Sequence, residues 1–518
     1  MTQTTPGALA LGFALALAVL PGMAPAQEGA QDVAPLRIAT SFSIDSMNPW
    51  EDGFWMQEFG QAELLMQFRE DGQHHPWLLA GLENPEPTRW VMTLRPDVTF
   101  QNGNPVDAGA ILRAIAAGRT HSASARAEVP GDAVFAQTGP LEITVTTSQP
   151  WAELPGVLAD EQIFLILDAD TVEAAGDDWD SLITAGIYTG PYQVATLTEE
   201  GMEAVAWDGY WQGTPALPGV EVRFVPDANA RILAVQNDEA DIALYPPLAA
   251  MPAVEATPGL HFNLGIPSTG GYVGYMNVGE GVLGDVAVRR ALLLAIDYRE
   301  IAHDVFRDAV GEATSFYAQG FPWTLENYRT DRGEAARILD EAGWEAGSGG
   351  MRSRDGVPLA ITLAIYPQQP DLVPLSTVLQ AQLATVGIAA DVVSFDGIND
   401  ALMNPANRWD LALLSNSPAG WGKVQGFLAS YVAPGARRNF GGYDNAEVAQ
   451  IIADLPHVTD PDARIALLHR FQEIQQEDDP YVVSLTISKG RVIVNDRYAC
   501  YRPGFTIYHV SWQTAPCS

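Results

Sequence analysis

The sequence predicts an α/β protein with more than one domain. Between residues 359 and 415, short apolar runs typical of strands alternate with segments whose apolar residues recur at helical spacing. Strands separated by helices in this way form parallel sheets with helices packed on their faces. The chain has 518 residues, which is more than a single hydrophobic core organises, so two or three domains are expected.

The first half of the chain reads as a series of strands joined by turns. Asn102-Gly103-Asn104-Pro105 is a turn sequence, and Ala230, Leu233 and Ala234 share one face of a predicted helix. The predicted strands are 36–40, 89–94, 143–147 and 220–225, and the predicted helix is 227–236.

The second half is the clearer one. Asp285 is a predicted N-cap of a helix, and Gly343 ends another that includes residues 335–342. The β-α-β-α-β segment that follows consists of strand 359–366, helix 372–386, strand 388–394, helix 399–403 and strand 409–415.

Ligands of parallel α/β sheets bind beyond the carboxyl ends of the strands. In the second half that rule points to residues 415–421, and in the first half to the loop at 41–55. These two segments are therefore the first candidates for a binding site.

The first 26 residues have the pattern of a secretory signal peptide. Ala8 to Leu20 is apolar apart from glycine and too short to span a bilayer, and Ala24-Pro25-Ala26 supplies the small residues of a cleavage site. We therefore expect an exported mature chain that begins at Gln27. A buried apolar segment of a cytosolic protein is the alternative interpretation.

The net charge of −36 is the largest deviation in composition. Nucleic-acid binding needs clusters of basic residues, so this charge argues against a nucleic-acid partner. It also disfavours strongly anionic ligands, although a local arginine can override long-range repulsion. An acidic surface that keeps the protein soluble in a salty habitat would explain the same charge.

The chain contains two cysteines, Cys500 and Cys517. In an oxidising compartment this spacing predicts one disulfide that pins the C-terminal segment, whereas two free thiols are the alternative. Neither cysteine follows the apolar leader, so we expect a freely diffusing periplasmic protein without a lipid anchor.

One stretch resembles a family signature. Residues Trp90 to Phe100, followed by Asn102 to Val106, are similar to the signature of family 5 solute-binding proteins, the dipeptide-, oligopeptide- and nickel-binding group of ABC transporters. Supporting stretches occur in family order at 71–80, 189–192, 209–211, 230–242, 288–297, 342–344 and 439–445.

The resemblance implies a two-lobed periplasmic-binding-protein fold of type II, cluster C-like, with an extra subdomain. The implied arrangement is a signal peptide at 1–26, lobe I at 27–268 with the subdomain at about 70–185, lobe II at 269–485, and a C-terminal segment at 486–518 that returns to lobe I. The lobes would close around the ligand and bury most of its surface.

The resemblance also implies the function. The chain would be the monomeric substrate-binding component of an ABC importer, delivering a peptide or peptide-like solute to permease subunits at the inner membrane. A metal chelate of the nickel type, an opine-like ligand or a sugar is the alternative. An exported hydrolase and a peptide-binding chaperone are more distant alternatives.

Candidate ligand-binding residues combine strand-end position with suitable chemistry. Aromatic side chains in such loops form apolar walls for a ligand, although core packing explains a tryptophan equally well. The candidates are Ser41, Asn48, Trp50, Trp55, Ser415, Asn416, Trp421, Arg437 and Arg438.

The ligand contacts of two groups of relatives are not visible in this sequence. Oligopeptide binders of the family hold the peptide amine with an aspartate whose position is Gly420 here, and nickel-binding relatives have a histidine where this chain has Ala436. Arg437 and Arg438 follow, and they could hold an anionic group bidentately or be solvated surface charges.

We expect no metal, no cofactor and no catalytic centre. His74 and His75 are adjacent, but no further ligands at metal-binding spacing accompany them, so we expect surface histidines. Gly279 to Gly284 matches GxGxxG, yet a helix follows where a dinucleotide site needs a second strand. The sequence contains no GxSxG, HExxH or P-loop motif.

Overall fold

The computed structural model describes Met1 and residues 34–176, 178–279, 281–505 and 510–518. The predicted signal peptide and its cleavage site lie outside these ranges. Within them, no helix has both the length and the apolar character needed to cross a membrane.

The strands are, in chain order, β1 (Leu36–Thr40), β2 (Met66–Phe68), β3 (His74–Pro76), β4 (Leu79–Glu86), β5 (Arg89–Leu94), β6 (Val134–Gly139), β7 (Glu142–Thr146), β8 (Tyr192–Thr198), β9 (Gly201–Ala206), β10 (Gly219–Phe224), β11 (Ile242–Leu244), β12 (Leu260–Pro267), β13 (Gly271–Met276), β14 (Val310–Gly311), β15 (Glu345–Ala346), β16 (Arg352–Arg354), β17 (Val357–Pro358), β18 (Ala360–Ile365), β19 (Ala389–Ser394), β20 (Leu411–Asn416), β21 (Val482–Ser484) and β22 (Ile487–Asn495).

The helices begin mostly after a side chain that accepts a hydrogen bond from the first turn. Asn48, Asp107 and Asp285 are such N-caps. The helices are α1 (Pro49–Glu58), α2 (Ala108–His121), α3 (Ala123–Glu128), α4 (Leu154–Val157), α5 (Glu161–Phe164), α6 (Ala169–Ala175), α7 (Ala228–Gln236), α8 (Met251–Glu255), α9 (Val286–Ala295), α10 (Arg332–Glu341), α11 (Leu372–Ala384), α12 (Ile398–Met403), α13 (Val424–Phe427), α14 (Ala446–Asp454) and α15 (Pro461–Glu473).

The first sheet has the order β12-β22-β11-β1-β10-β9-β8, with β14 paired to β22. The central strand β1 is parallel to β10 and β11, and the outer pairs are antiparallel. Because β22 comes from near the C-terminus, the chain leaves this sheet after β12 and, apart from the two-residue strand β14, returns to it at β22.

The second sheet has the order β19-β18-β20-β13-β21. The predicted β-α-β-α-β segment forms its parallel part, since β18 pairs parallel with both β19 and β20. A wholly parallel sheet was expected, and that expectation is wrong: β13 and β21 are antiparallel additions.

Close backbone packing is the reason that β13 was not recognised in the sequence. Gly271 and Gly274 interrupt its apolar run, and a Cβ atom added at Gly271 would lie 1.9 Å from the carbonyl oxygen of Thr486. Glycine is therefore required where β13 passes the backbone at Thr486. Because glycine is uncommon in strands, its presence argues against a strand in the sequence.

A four-stranded antiparallel sheet, β4-β5-β7-β6, forms the small sheet. The signature-like stretch lies on β5 and the turn that follows it. The small sheet has its own hydrophobic core, drawn from residues 65–166, whereas the core of the second sheet draws on 272–487 and on Phe68.

The two cysteines form a disulfide, with Cα atoms 5.7 Å apart. The amide of Cys517 also donates to the carbonyl oxygen of Arg497 at 2.8 Å. The bond therefore ties the C-terminal residues to the segment that directly follows β22.

Replacing both Cys500 and Cys517 by serine should lower the free energy of unfolding by about 3 kcal/mol, because the bond closes a loop of 17 residues in the unfolded chain. Urea unfolding of the variant and of the oxidised protein measures the difference. An unchanged midpoint would contradict the stabilising role of the bond.

Candidate functional site

A cavity of about 380 Å³, which we call the main cavity, lies between the first and second sheets. The segment that leads from β12 into β13 forms one side of it, and the carboxyl end of β20 forms another. The described lining residues are Phe54, Phe68, Ser268, Thr269, Gly270, Gly271, Ser415, Asn416, Ser417, Gly420, Trp421, Ser488 and Phe505.

The end of β20 is held in place by hydrogen bonds to neighbouring tyrosines. The backbone amide of Ser415 donates to the Tyr366 hydroxyl at 3.1 Å, and Asn416 Nδ2 donates to the Tyr275 hydroxyl at 2.8 Å. The structure thus brings the predicted residues Ser415 and Asn416 to the cavity, with the Ser415 backbone and the Asn416 side chain held by hydrogen bonds.

Trp421 lies in a strained turn at the cavity wall. Its φ of +52° is unusual for a bulky residue, and Gly422 follows with a φ of +73°. The Trp421 carbonyl oxygen accepts a hydrogen bond from His74 Nε2 at 2.8 Å. A Cβ atom added at Gly422 would come within 2.7 Å of the His74 ring, so this close approach requires glycine.

The loop predicted at 41–55 is wrong from residue 49 onward, because Pro49–Glu58 forms α1. From this helix the cavity wall receives Phe54, the neighbour of the predicted Trp55. The Trp55 ring packs behind it, with ring centroids 4.8 Å from Phe54, 5.3 Å from Phe42 and 5.5 Å from Phe59. Trp55 therefore supports the wall without being among its described lining residues.

The other predicted residues of that loop lie away from the cavity. The Asn48 side chain caps α1 by accepting the Trp50 amide. The Trp50 ring stacks on His121 at 4.6 Å and lines a separate cavity beside α2 and α6. Ser41 is half-buried directly after β1 and is not among the described lining residues of the main cavity.

Arg437 and Arg438 are exposed and also lie outside the described lining of the main cavity. The Arg438 guanidinium stacks over the Tyr431 ring at 5.3 Å and donates to the Tyr431 hydroxyl at 3.0 Å. Arg438 is linked to Asn416 through Tyr431, whose ring lies 5.6 Å from that of Tyr275, the hydrogen-bond partner of Asn416.

Sequence reasoning missed the lining residues that flank the two chain crossings. Ser268 to Gly271 and Ser488 lie where the chain passes between the first and second sheets. The family resemblance implies that the chain crosses between the lobes near residues 268 and 486. These lining residues could therefore have been predicted from the resemblance. Phe68 and Phe505 had no such signal, because only folding brings them beside Trp421.

Lys423 follows the strained turn and forms an ion-paired bridge across the molecule. Its ammonium contacts the carboxylates of Glu128 at 2.6 Å and of Asp160, and the Lys423 and Asp160 side chains are only 8% and 3% exposed. Burial disfavours the charged ammonium, but attraction from Asp160 and Glu128 outweighs it and raises the pKa of Lys423.

Two further contacts join the same parts of the chain. Arg464 of α15 pairs with Glu153, and His457 Nδ1 lies 2.9 Å from the Pro150 carbonyl oxygen. The region of the small sheet and the region of the second sheet are therefore held together beside the cavity.

His74 differs from the surface histidine that we expected. Burial lowers the pKa of the His74 ring to about 4, and the positive charges of Arg464 and Lys423 act in the same direction. Its neighbour His75 follows the expectation, being partly exposed and bound to Asp71.

The protein should lose stability relative to a His74→Gln variant as the pH falls from about 6.5 towards 4. In that window the unfolded histidine binds a proton that the folded one does not, so the free energy of unfolding falls by roughly 2–3 kcal/mol. Urea unfolding of both proteins at a series of pH values measures the difference. A difference independent of pH would refute the assignment.

Comparisons with known proteins identify the family. The model of the bacterial extracellular solute-binding proteins, family 5, matches residues 73–439. The nickel-binding protein NikA of Staphylococcus aureus is 23% identical over 471 residues, 90% of each chain. The glutathione-binding protein GsiB of Salmonella paratyphi A is 24% identical over 498 residues, 91% of each chain.

The fold is shared with solved structures. The crystal structure of a nickel ABC transporter protein from Bacillus halodurans superposes with a TM-score of 0.78 at 23% identity, and the match covers 92% of this chain and 99% of that one. The predicted two-lobed α/β fold is thereby confirmed, and so is the family resemblance. This chain belongs to the bacterial extracellular solute-binding proteins of family 5, the substrate-binding components of ABC transporters.

Proposed function

We propose that this protein captures a small solute in the cavity between its lobes and delivers it chemically unchanged to the permease of an ABC importer. The observation that carries the proposal is the cavity of about 380 Å³, whose walls come from Phe54, from Trp421 and from both chain crossings. A cavity of this size, lined mainly by apolar and aromatic groups with a few polar ones, is typical of a small-molecule site.

The proposal includes the lobe boundaries that the resemblance implies. In this arrangement the chain leaves lobe I at about residue 268 and re-enters it at about residue 486. Both crossings between the lobes would therefore lie beside the cavity. Closure of one lobe on the other would then enclose a solute and present a new surface to the membrane partner. We propose a periplasmic, monomeric protein.

The relatives define the ligands that any test must include. They are named for nickel and for glutathione, and a peptide or peptide-like solute is the class that the resemblance implies. Among the residues that the structure describes, no group of three or more histidine, cysteine or acidic side chains could hold a metal ion.

Capture can be tested on protein unfolded to release bound solute, refolded, and exposed to a small-molecule extract. We expect a higher melting temperature, and mass spectrometry should recover a solute of unchanged mass. A hydrolase would consume the solute during the incubation. Recovery of a cleaved product would overturn the proposal.

Arg437→Ala should change solute affinity by less than about twofold, because this side chain is exposed and outside the described cavity lining. Calorimetry with the captured solute measures the effect. A large loss that added salt reproduces in the unmodified protein would instead show that the arginine holds an anionic group of the solute.

A further inference from the structure

The main cavity has an unusual chemical composition. Its described lining residues include aromatic, hydroxyl, amide and glycine groups, but no lysine, arginine, histidine, aspartate or glutamate. The protein as a whole carries a net charge of −36, so ionisable groups are abundant elsewhere. The described lining of the cavity is therefore uncharged, although the protein as a whole is strongly charged.

Charged side chains close along the chain to the lining residues have partners of their own. Lys489, directly after Ser488, donates from Nζ to the Asp308 carbonyl oxygen at 2.9 Å. Lys423, two residues after Trp421, is bound by Asp160 and Glu128. Arg491, three residues after Ser488, pairs with Asp371 at 3.3 Å. Lys423 and Arg491 are therefore neutralised by carboxylates of the protein, and the Lys489 ammonium is held by a backbone carbonyl.

This arrangement disfavours ligands that carry localised charges. Removing an ammonium or carboxylate from water costs several kcal/mol unless an opposite charge or a set of strong hydrogen bonds replaces the water. A peptide with free termini presents one of each. The described lining provides no ionic partner for either.

The polar groups that do line the cavity suit hydroxyl groups. Serine and threonine hydroxyls both donate and accept hydrogen bonds. The Thr269 and Ser417 hydroxyls lie 2.9 Å apart, and Ser268, Ser415 and Ser488 add three more. A hydroxyl-rich ligand can exchange donor and acceptor roles with such a lining.

The aromatic groups provide flat apolar faces beside these hydroxyls. Phe54, Phe68, Trp421 and Phe505 all line the cavity, and the Phe68 and Phe505 rings lie 5.4 Å apart. Aromatic rings contribute large apolar contact areas at fixed orientations. A pyranose ring has the matching combination, since its hydroxyls lie around an apolar face of C–H groups.

We propose that the cavity takes an uncharged, hydroxyl-rich solute of the class of small glycosides, such as a disaccharide. This inference rests on the proposed function, because it names the solute class of the same site. Peptides with free termini and nickel–histidine complexes are excluded from the cavity under this proposal.

The experiment uses refolded, solute-free protein exposed to an extract of small molecules and then re-isolated. The solute is released with methanol and passed over cation and anion exchangers at neutral pH. We expect it to flow through both, to have the mass of a glycoside and to contain no nickel. Retention on either exchanger, or nickel in the released fraction, would overturn the proposal.

Defined probes give a second measurement. Calorimetry with cellobiose and maltose should show binding whose affinity changes less than about twofold between roughly 0.05 and 0.5 M salt, whereas dialanine and nickel–histidine should give no heat. Binding of dialanine or nickel–histidine would contradict the glycoside class. If the extract supplies no solute and no probe binds, the capture function itself fails, and this inference fails with it.

A matched pair of variants tests the neutrality of the site. Asn416→Asp places a carboxylate in the cavity with little change of shape, and we expect at least a tenfold loss of affinity for the captured glycoside. Asn404→Asp makes the same change at an exposed position outside the described lining and should leave affinity unchanged. Equal affinities for the two variants would count against an uncharged ligand site.

Discussion

Trp421→Ala is expected to weaken binding of the captured solute by about 2–4 kcal/mol, roughly 30-fold to 1000-fold. Trp421 is one of the residues that line the cavity, and its backbone is held by the hydrogen bond from His74. A large aromatic side chain in such a position supplies much of the contact area that a small ligand buries. Calorimetry with the captured solute measures the loss.

Two controls separate binding from folding in this test. Trp421→Phe keeps an aromatic wall and should retain most of the affinity. Trp50→Ala removes a tryptophan that packs on His121 outside the cavity, so it should leave affinity unchanged. Normal affinity in Trp421→Ala would show that this ring is not part of the binding wall, and Phe54 would then be the residue to test.

Lys423→Met should lower the free energy of unfolding by about 3–5 kcal/mol. The substitution preserves the aliphatic chain but removes the ammonium between Asp160 and Glu128, and it leaves the buried Asp160 carboxylate without its ionic partner. Because the ion pairs join the small-sheet region to the second-sheet region, solute affinity should fall as well. Urea unfolding at neutral pH measures the change.

The structure offers a rescue and a control for this prediction. Adding Asp160→Asn and Glu128→Gln to Lys423→Met removes the uncompensated charges and should restore much of the lost stability. Arg470→Met breaks exposed pairs with Glu447, Glu473 and Asp478 and should cost less than about 2 kcal/mol. A cost for Lys423→Met no larger than that for Arg470→Met would show that the buried bridge contributes little.

Local sequence patterns determined much of the fold. The expected strands at 36–40 and 89–94 match β1 and β5, and the periodic segment from 359 to 415 forms the parallel part of the second sheet. Asp285 caps α9 as expected. These features depend on periodicity, turn residues and caps, which act over a few residues and are therefore readable in the sequence.

The site was only partly predictable for the same reason. Ser415, Asn416 and Trp421 were found because they directly follow a recognisable strand, and the strand-end rule applies to that position. In the segment 41–55 the same rule identified the right part of the chain, but it did not identify Phe54 as the side chain that lines the cavity. The turns of α1 place Phe54 at the cavity, whereas Trp50 and Trp55 pack elsewhere.

The sequence by itself therefore determined the family, the α/β class, the parallel unit and one wall of the cavity. Only the tertiary structure decided the antiparallel place of β13, the partly buried position of His74 and the lack of charged side chains in the described cavity lining. Lys423 meets its partners across 263 and 295 residues of chain, and Phe68 and Phe505 meet only in the folded protein. Contacts at such separations depend on how whole sheets pack, and no local pattern of residues encodes them.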